Sequence, residues 1–98
     1  MVAESIFTRM KGLIGKTSLA SGSGLLLKPC KAVHTFGMRF DIDIVFLDKE
    51  NHVIKIIEAL KPNRMTAIYR EASTVLELSG GEMAKAQLTP GDYLEIID

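Results

Sequence analysis

The segment HTFGMRFDIDIVFLDKENHVIKIIEAL, residues 34–60, holds the chain's plainest strand pattern. Its even positions from 34 to 46 are His34, Phe36, Met38, Phe40, Ile42, Ile44 and Phe46, an alternation that marks extended chain with one buried face. A single strand rarely exceeds about 10 residues, so Gly37 is expected to mark a bend between two shorter pieces. The odd positions run Arg39, Asp41, Asp43, Val45, Leu47, charged first and apolar later, which predicts that the late half is buried on both faces as in a central strand. Residues 48–52 form a turn-like cluster, residues 53–60 read as the partner strand of a hairpin, and Lys61-Pro62-Asn63 ends it.

On the N-terminal side, Ile6, Met10, Leu13 and Ile14 fall on the stripe of a helix that Ser5 would cap and Gly15 would stop. Residues 18–24 read as a Ser/Gly loop, and residues 25–27 as a strand that Pro29 ends or pushes to an edge. Beyond the hairpin, residues 74–78 read as a strand, Gly80-Gly81 as a turn, and residues 82–88 as about two helical turns. Thr89-Pro90-Gly91-Asp92 suits a type II turn leading into a last strand over 93–97. The expected class is therefore α+β: a small curved sheet, antiparallel or mixed, open or partly closed into a barrel, with an N-terminal helix and a short C-terminal one.

At 98 residues, 47% of them hydrophobic and 24% charged, the chain has the size and usage of a single ordinary globular domain. Its longest apolar runs are too short to cross a bilayer, and residues 1–10 lack a signal-peptide pattern, so a cytoplasmic location and no membrane partner are expected. Twelve basic residues balance twelve acidic ones, which argues against nucleic-acid binding. The balance is uneven along the chain: residues 1–40 carry net +5 and residues 41–98 net −5. Interleaving of the two sets on folding is the expectation, and a basic docking surface the alternative. With one cysteine, Cys30, no internal disulfide is available, which fits a reducing compartment.

Gly15-Lys16-Thr17 has the tail of a phosphate-binding loop, but Met10 occupies the place of the required first glycine. Cys30 and His34 would lie about 13 Å apart in extended chain, too far for a thiol and its base, so Cys30 is expected to be structural. His34, His52, Asp41 and Asp43 offer metal-ligand chemistry without a local HxH, HxxxH or CxxC spacing, so no metal and no cofactor are expected. Asp43, between Ile42 and Ile44, poses a sharper problem, because an unpaired buried carboxylate is costly. Arg39 or backbone N–H groups would relieve it, or it would face a ligand at a rim. Glu77, within the apolar run 74–78, poses the same question.

Four blocks in order resemble the family known as domain of unknown function 192: residues 9–15 (RMKGLIG), Gly37-Met38-Arg39-Phe40 leading into residues 42–48 (IDIVFLD), residues 75–78 (VLEL) followed by Gly81, and Gly91-Asp92. The resemblance implies a compact, strand-rich fold with the Arg9 block on a helix and the Gly91-Asp92 turn feeding a last strand. It supplies no reaction. It implies that Gly15, Asp43, Glu77 and Asp92 are the positions to carry over if a common site exists. Asp41 stands where relatives commonly have Pro, and one branch has no counterpart of His34.

No complete set of nucleophile, base and orienting group emerges. The function is therefore expected to be that of a small non-catalytic binding or accessory module, with Arg39, Asp43, Glu77 and His34 as candidate ligand contacts and the ligand, protein partner and oligomeric state left open. The alternative is a small enzyme using the Asp43 and Glu77 carboxylates with Arg39 holding an anionic substrate. A module working through a sheet edge would expose an unpaired strand, whereas an enzyme would show a concave pocket faced by Asp43 or Glu77.

Overall fold

The structure, a computed structural model, describes residues 4–10, 13–14, 17–18, 22–81, 83–84 and 87–94. Its strands are β1 (Glu4–Met10), β2 (Leu13–Ile14), β3 (Thr17–Ser18), β4 (Gly22–Lys28), β5 (Ile42–Leu47), β6 (Val53–Leu60) and β7 (Thr74–Ser79). Five of them form one sheet in the order β1-β4-β7-β5-β6, and β2 and β3 pair separately. Every pairing is antiparallel.

The central position expected for residues 42–47 holds. All six residues of β5 are buried, with β7 on one side and β6 on the other. Alternation then sorts the core into two layers. Leu26, Leu76, Val45 and Ile56 are successive cross-strand partners and belong to one cluster, closed by Met83, Leu88 and Leu94. Phe46 and Val75, one residue along, face the other way into a cluster with Cys30, Val33 and Ala72, against which Tyr69 packs at 4.5 Å from the Phe46 ring.

That second layer is roofed by two connections, residues 29–41 and 61–73, which run antiparallel. Tyr69 N–H donates to Lys31 O, Thr66 N–H to Val33 O and Thr35 N–H to Arg64 O, at 2.8–2.9 Å. Thr35 is fully buried and pins the roof: its Oγ1 donates to Lys61 O at 2.7 Å and accepts from Arg64 N–H at 2.9 Å. Satisfying both hydroxyl roles internally is what makes a buried threonine tolerable here.

Several expectations are corrected. The N-terminal helix is replaced by β1, whose seven residues pair in register with β4, and the resemblance-based helix over the Arg9 block fails with it, since Leu13–Ile14 is β2. Ile6, Thr8 and Met10 also alternate, and cross-strand hydrogen bonding to β4 overrides a short helical stripe whose propensity is a weak prior. The two-turn C-terminal helix is not seen among the described residues either. Among the described residues a single helical turn closes from Gln87 N–H to Met83 O at 3.1 Å, and Gln87 ends it at φ 56°. Residues 82, 85 and 86 of that expectation lie outside the described residues. The class is thus a small antiparallel β-sheet fold rather than α+β. The barrel alternative also fails: among the described residues the sheet is open, with β1 and β6 at its ends.

The extended reading of residues 34–46 breaks where Gly37, at φ 83°, turns the chain. Before the turn His34 makes one antiparallel bridge to Met65, and regular strand resumes at Ile42. Phe36 and Phe40, expected on a buried face, are exposed. The type II turn is present, with Gly91 at φ 95° and Asp92 N–H donating to Thr89 O at 3.1 Å. Of the last strand, Tyr93 bridges His52, and residues 95–97 fall outside the described residues. No helix among the described residues is long and apolar enough to cross a membrane.

Candidate functional site

Asp43 organises the end of the sheet. Its side chain is fully buried, and both oxygens accept backbone hydrogen bonds: Ala59 N–H donates to Oδ1 and Met83 N–H to Oδ2, each at 2.8 Å. The Ala59 contact sits at a register shift, where Ile42 and Ile44 face Leu60 and Ile57, so β6 carries one extra residue. Such a bulge bends its strand. Ala59 takes up the distortion at φ 52°, a left-handed conformation that costs an L-residue about 1–2 kcal/mol. The Met83 contact caps the turn that begins at Met83, where the first N–H groups have no partner of their own. Of the two structural solutions open for Asp43, backbone donors are the one found; Arg39 is exposed.

Beside this arrangement lies an open hollow of about 390 Å³ lined by Phe40, Asp41, Ala59 and Gly80. It spans the ends of β7, β5 and β6. Gly80 N–H donates to Asp41 O at 3.0 Å, and a Cβ on Gly80 would stand 3.1 Å from both Asp41 O and Asp41 Cβ, so any larger residue would push Asp41 back by a few tenths of an ångström. Asp41 is half-buried and Phe40 exposed. Asp41 stands where the resemblance places Pro in relatives, and composition alone marks neither Ala59 nor Gly80. Only the expectation that Asp43 needs a partner pointed here.

Glu77 does not join this site. It pairs with Ile44, whereas Asp43 pairs with Leu78, so the two carboxylates project from opposite faces of the sheet. Glu77 is half-buried, and burial pushes its carboxyl above the ordinary glutamate value, opposed by the His34 imidazole. On this face burial also raises the Cys30 thiol, a backbone hydrogen bond at Ala32 opposes, and the Glu77 charge adds to the rise. A thiol held protonated in this way is a weak nucleophile. His34 is exposed, stacked on Phe36 with ring centroids 4.9 Å apart, and its Nδ1 accepts from Phe36 N–H at 3.4 Å.

A third grouping lies at the hairpin turn. Asp48, Glu50 and His52 each offer an atom within 4.8 Å of the others. Its geometry is that of a turn: Asp48 Oδ1 accepts from Glu50 N–H at 2.8 Å and His52 N–H at 2.9 Å, and those bonds, His52's first, hold the Asp48 carboxyl below its ordinary value.

The sheet also has a free edge. At its start, Val53 donates to Asp92 O and accepts from Gly91 N–H, both at 2.8 Å. Leu94 N–H then donates to Asn51 O, so this segment runs antiparallel to β6 and away from its later part. From Ile54 to Glu58 the outward backbone of β6 has no strand or loop beside it among the described residues. Ile54, Ile56, Ile57 and Leu60 of this strand are half-exposed.

These features define a class: a small, open antiparallel sheet with two core layers, a carboxylate-stapled sheet end and an edge left uncovered among the described residues. The chain belongs to the family of domain of unknown function 192, described as Uncharacterized ACR, whose model matches residues 1–96. It is similar in fold to a crystal structure of a protein of unknown function from Novosphingobium aromaticivorans, with a TM-score of 0.65 and 23% identity. That similarity covers 74% of this chain and 56% of the other, so the chain spans little more than half of the protein it resembles. No curated protein matches.

Proposed function

We propose that the chain is a non-catalytic protein-binding module that takes an extended peptide onto the edge of β6. The observation that carries this reading is the uncovered stretch 54–58 on an eight-residue strand. Natural sheets usually cover such edges or blunt them with proline, bulges or inward-pointing charge, because free N–H and C=O groups recruit another strand. Here Lys55 and Glu58 are the charged residues of the strand, its two register shifts lie towards its ends, at Ile54 and near Ala59, and half-exposed isoleucines flank the free backbone between them. Added strands gain affinity from main-chain hydrogen bonds and specificity from alternate side chains. The two-carboxylate enzyme draws less support, since Asp43 accepts two backbone N–H groups and Glu77 lies on the other face. Action in the cytoplasm suits the buried free thiol of Cys30.

The test uses an eight-residue Thr/Val peptide and its N-methylated counterpart. The unmodified peptide should bind saturably and slow hydrogen exchange of amides within residues 54–58, and methylation of alternate backbone nitrogens should abolish both effects. Equal binding of the methylated peptide, or no change in exchange, would overturn the proposal.

A further inference from the structure

The chain's uneven charge does not interleave completely on folding. Residues 28–41 and 61–73, the roof of the second core layer with its flanking residues, carry Lys28, Lys31, Arg39, Lys61, Arg64 and Arg70 against Asp41 and Glu71, a net of +4. Residues 42–60 and 74–94 carry a net of −4. Of the five large hydrophobic side chains exposed among the described residues, four lie on the same roof: Phe36, Phe40, Met65 at 68% and Ile68 at 70%. Two independent properties, positive charge and uncovered apolar surface, thus coincide.

The backbone explains why these side chains point outward. Val33 and Thr35 are buried, so alternation turns His34 out. His34 is the antiparallel partner of Met65, so their side chains share the outer face, and Phe36 extends it by stacking on His34. The roof is held rigid by Thr35 and by Lys31 Nζ, which donates to Arg70 O and Ala72 O across the two connections. A surface already ordered in this way loses little further entropy on binding.

We propose that the outer face of the roof is a docking surface for a segment of a partner protein that combines acidic and apolar side chains. Charge complementarity selects the sign of the partner, and the exposed Met65, Ile68 and Phe36 require that it bring apolar groups as well. Basic and apolar residues are interspersed along each connection: Phe36, Arg39 and Phe40 on one, Arg64, Met65, Ile68 and Arg70 on the other. A chain of mixed acidic and apolar residues matches that spacing. Lipid headgroups and nucleic acid present unbroken negative charge, which Glu71 and Asp41 on the same connections oppose. This surface is separate from the β6 edge and stands independently of that assignment.

The probe is a labelled twelve-residue peptide of Glu, Asp, Leu and Phe, with prolines interspersed so that it cannot extend a sheet. Binding by fluorescence anisotropy should weaken about tenfold for the pair Arg64→Gln, Arg70→Gln and again for Met65→Ser, Ile68→Ser, as expected for interface anchors. Both pairs are on exposed positions, and their melting temperatures should match the parent's. A peptide with Lys in place of the acids should not bind. No binding of the acidic peptide, binding indifferent to either pair of changes, or tighter capture of phosphatidylserine vesicles or single-stranded DNA would each overturn the proposal.

Discussion

Asp43 and Glu77 are both carboxylates set in apolar strands, one register step apart on neighbouring β5 and β7, yet the fold treats them differently. Asp43 is completely buried and its charge is matched by two backbone donors that a bulge and a helical turn bring to it. Glu77 keeps part of its surface in water and is shifted toward its neutral form. A buried carboxylate is thus accommodated in two ways, by building donors around it or by leaving it near solvent where protonation relieves the cost. The first ties β5 to β6 and to the turn that begins at Met83. The second leaves a group that responds to pH.

The largest effect should come from Asp43. In Asp43→Asn one acceptor oxygen becomes an NH₂ group, so either Ala59 N–H or Met83 N–H is left facing a donor in a buried site. A hydrogen bond to a charged acceptor contributes about 1.5–3 kcal/mol, so denaturant unfolding should show a loss greater than about 1.5 kcal/mol. Asp41→Asn, the same chemical change two residues earlier on a half-exposed side chain, should cost under about 1 kcal/mol. Equal costs would break the contrast between buried and rim carboxylates.

Glu77→Gln should act in the opposite direction. Because the folded-state pKa is raised, the folded form holds its proton more tightly than the unfolded chain. The stability this supplies is complete below the unfolded value of about 4.3 and is lost as pH rises through the folded-state value. Glutamine has no such loss. Urea unfolding at pH 4 and at pH 7 should therefore show the variant gaining on the parent as pH rises; parallel pH profiles would mean that burial does not govern Glu77.

Ala59 offers a smaller test, on the Asp43 side. Glycine adopts a positive φ without strain but loses more entropy on folding, so Ala59→Gly should stabilise by about 0.5 kcal/mol, the difference of the two effects. Destabilisation would mean that the alanine methyl, in the wall of the hollow, packs better than its exposure implies.

How much of this was legible in the sequence follows the same division. The apolar alternation through Ile42, Ile44 and Phe46, with Val45 and Leu47 between, announces a central strand because no surface element tolerates such a run. The need for a partner at Asp43 was legible too. Its donors were not, since Ala59 and Met83 contribute backbone groups, which every residue carries, and a bulge leaves no mark on composition. The N-terminal stripe misled because Ile6 to Ile14 satisfies helical and strand spacing together, and pairing with β4 lies outside any local window. The roof misled for a related reason: alternation at Phe36 and Phe40 is real, but before Gly37 it is the odd positions Val33 and Thr35 that take the buried face, leaving Phe36 to water, and Phe40 lies beyond the turn.

The smallest effect sharpens the comparison most, because it asks which carboxylate a distant reporter feels. Cys30 lies in the core layer on the Glu77 side, where burial raises its thiol and the Glu77 charge raises it further. Thiolate is the reactive form, so the native protein should react with a thiol reagent far more slowly than the unfolded chain at neutral pH. Fast modification of the native protein below pH 7 would mean a stabilised thiolate and a chemical role that its surroundings do not support. Removing the Glu77 charge lowers the barrier to ionisation slightly, so Glu77→Gln should speed native modification at pH 8 by about twofold, a fraction of a pKa unit. Asp43→Asn places its change behind the sheet, where the Cys30 thiol does not see it. Measured under conditions where that variant is fully folded, it should leave the rate unaltered. If both substitutions accelerate the reaction equally, reagent is reaching Cys30 through general loosening, and the two faces are not electrically separate. If Glu77→Gln alone does, the sheet divides the two carboxylates in function as it does in space.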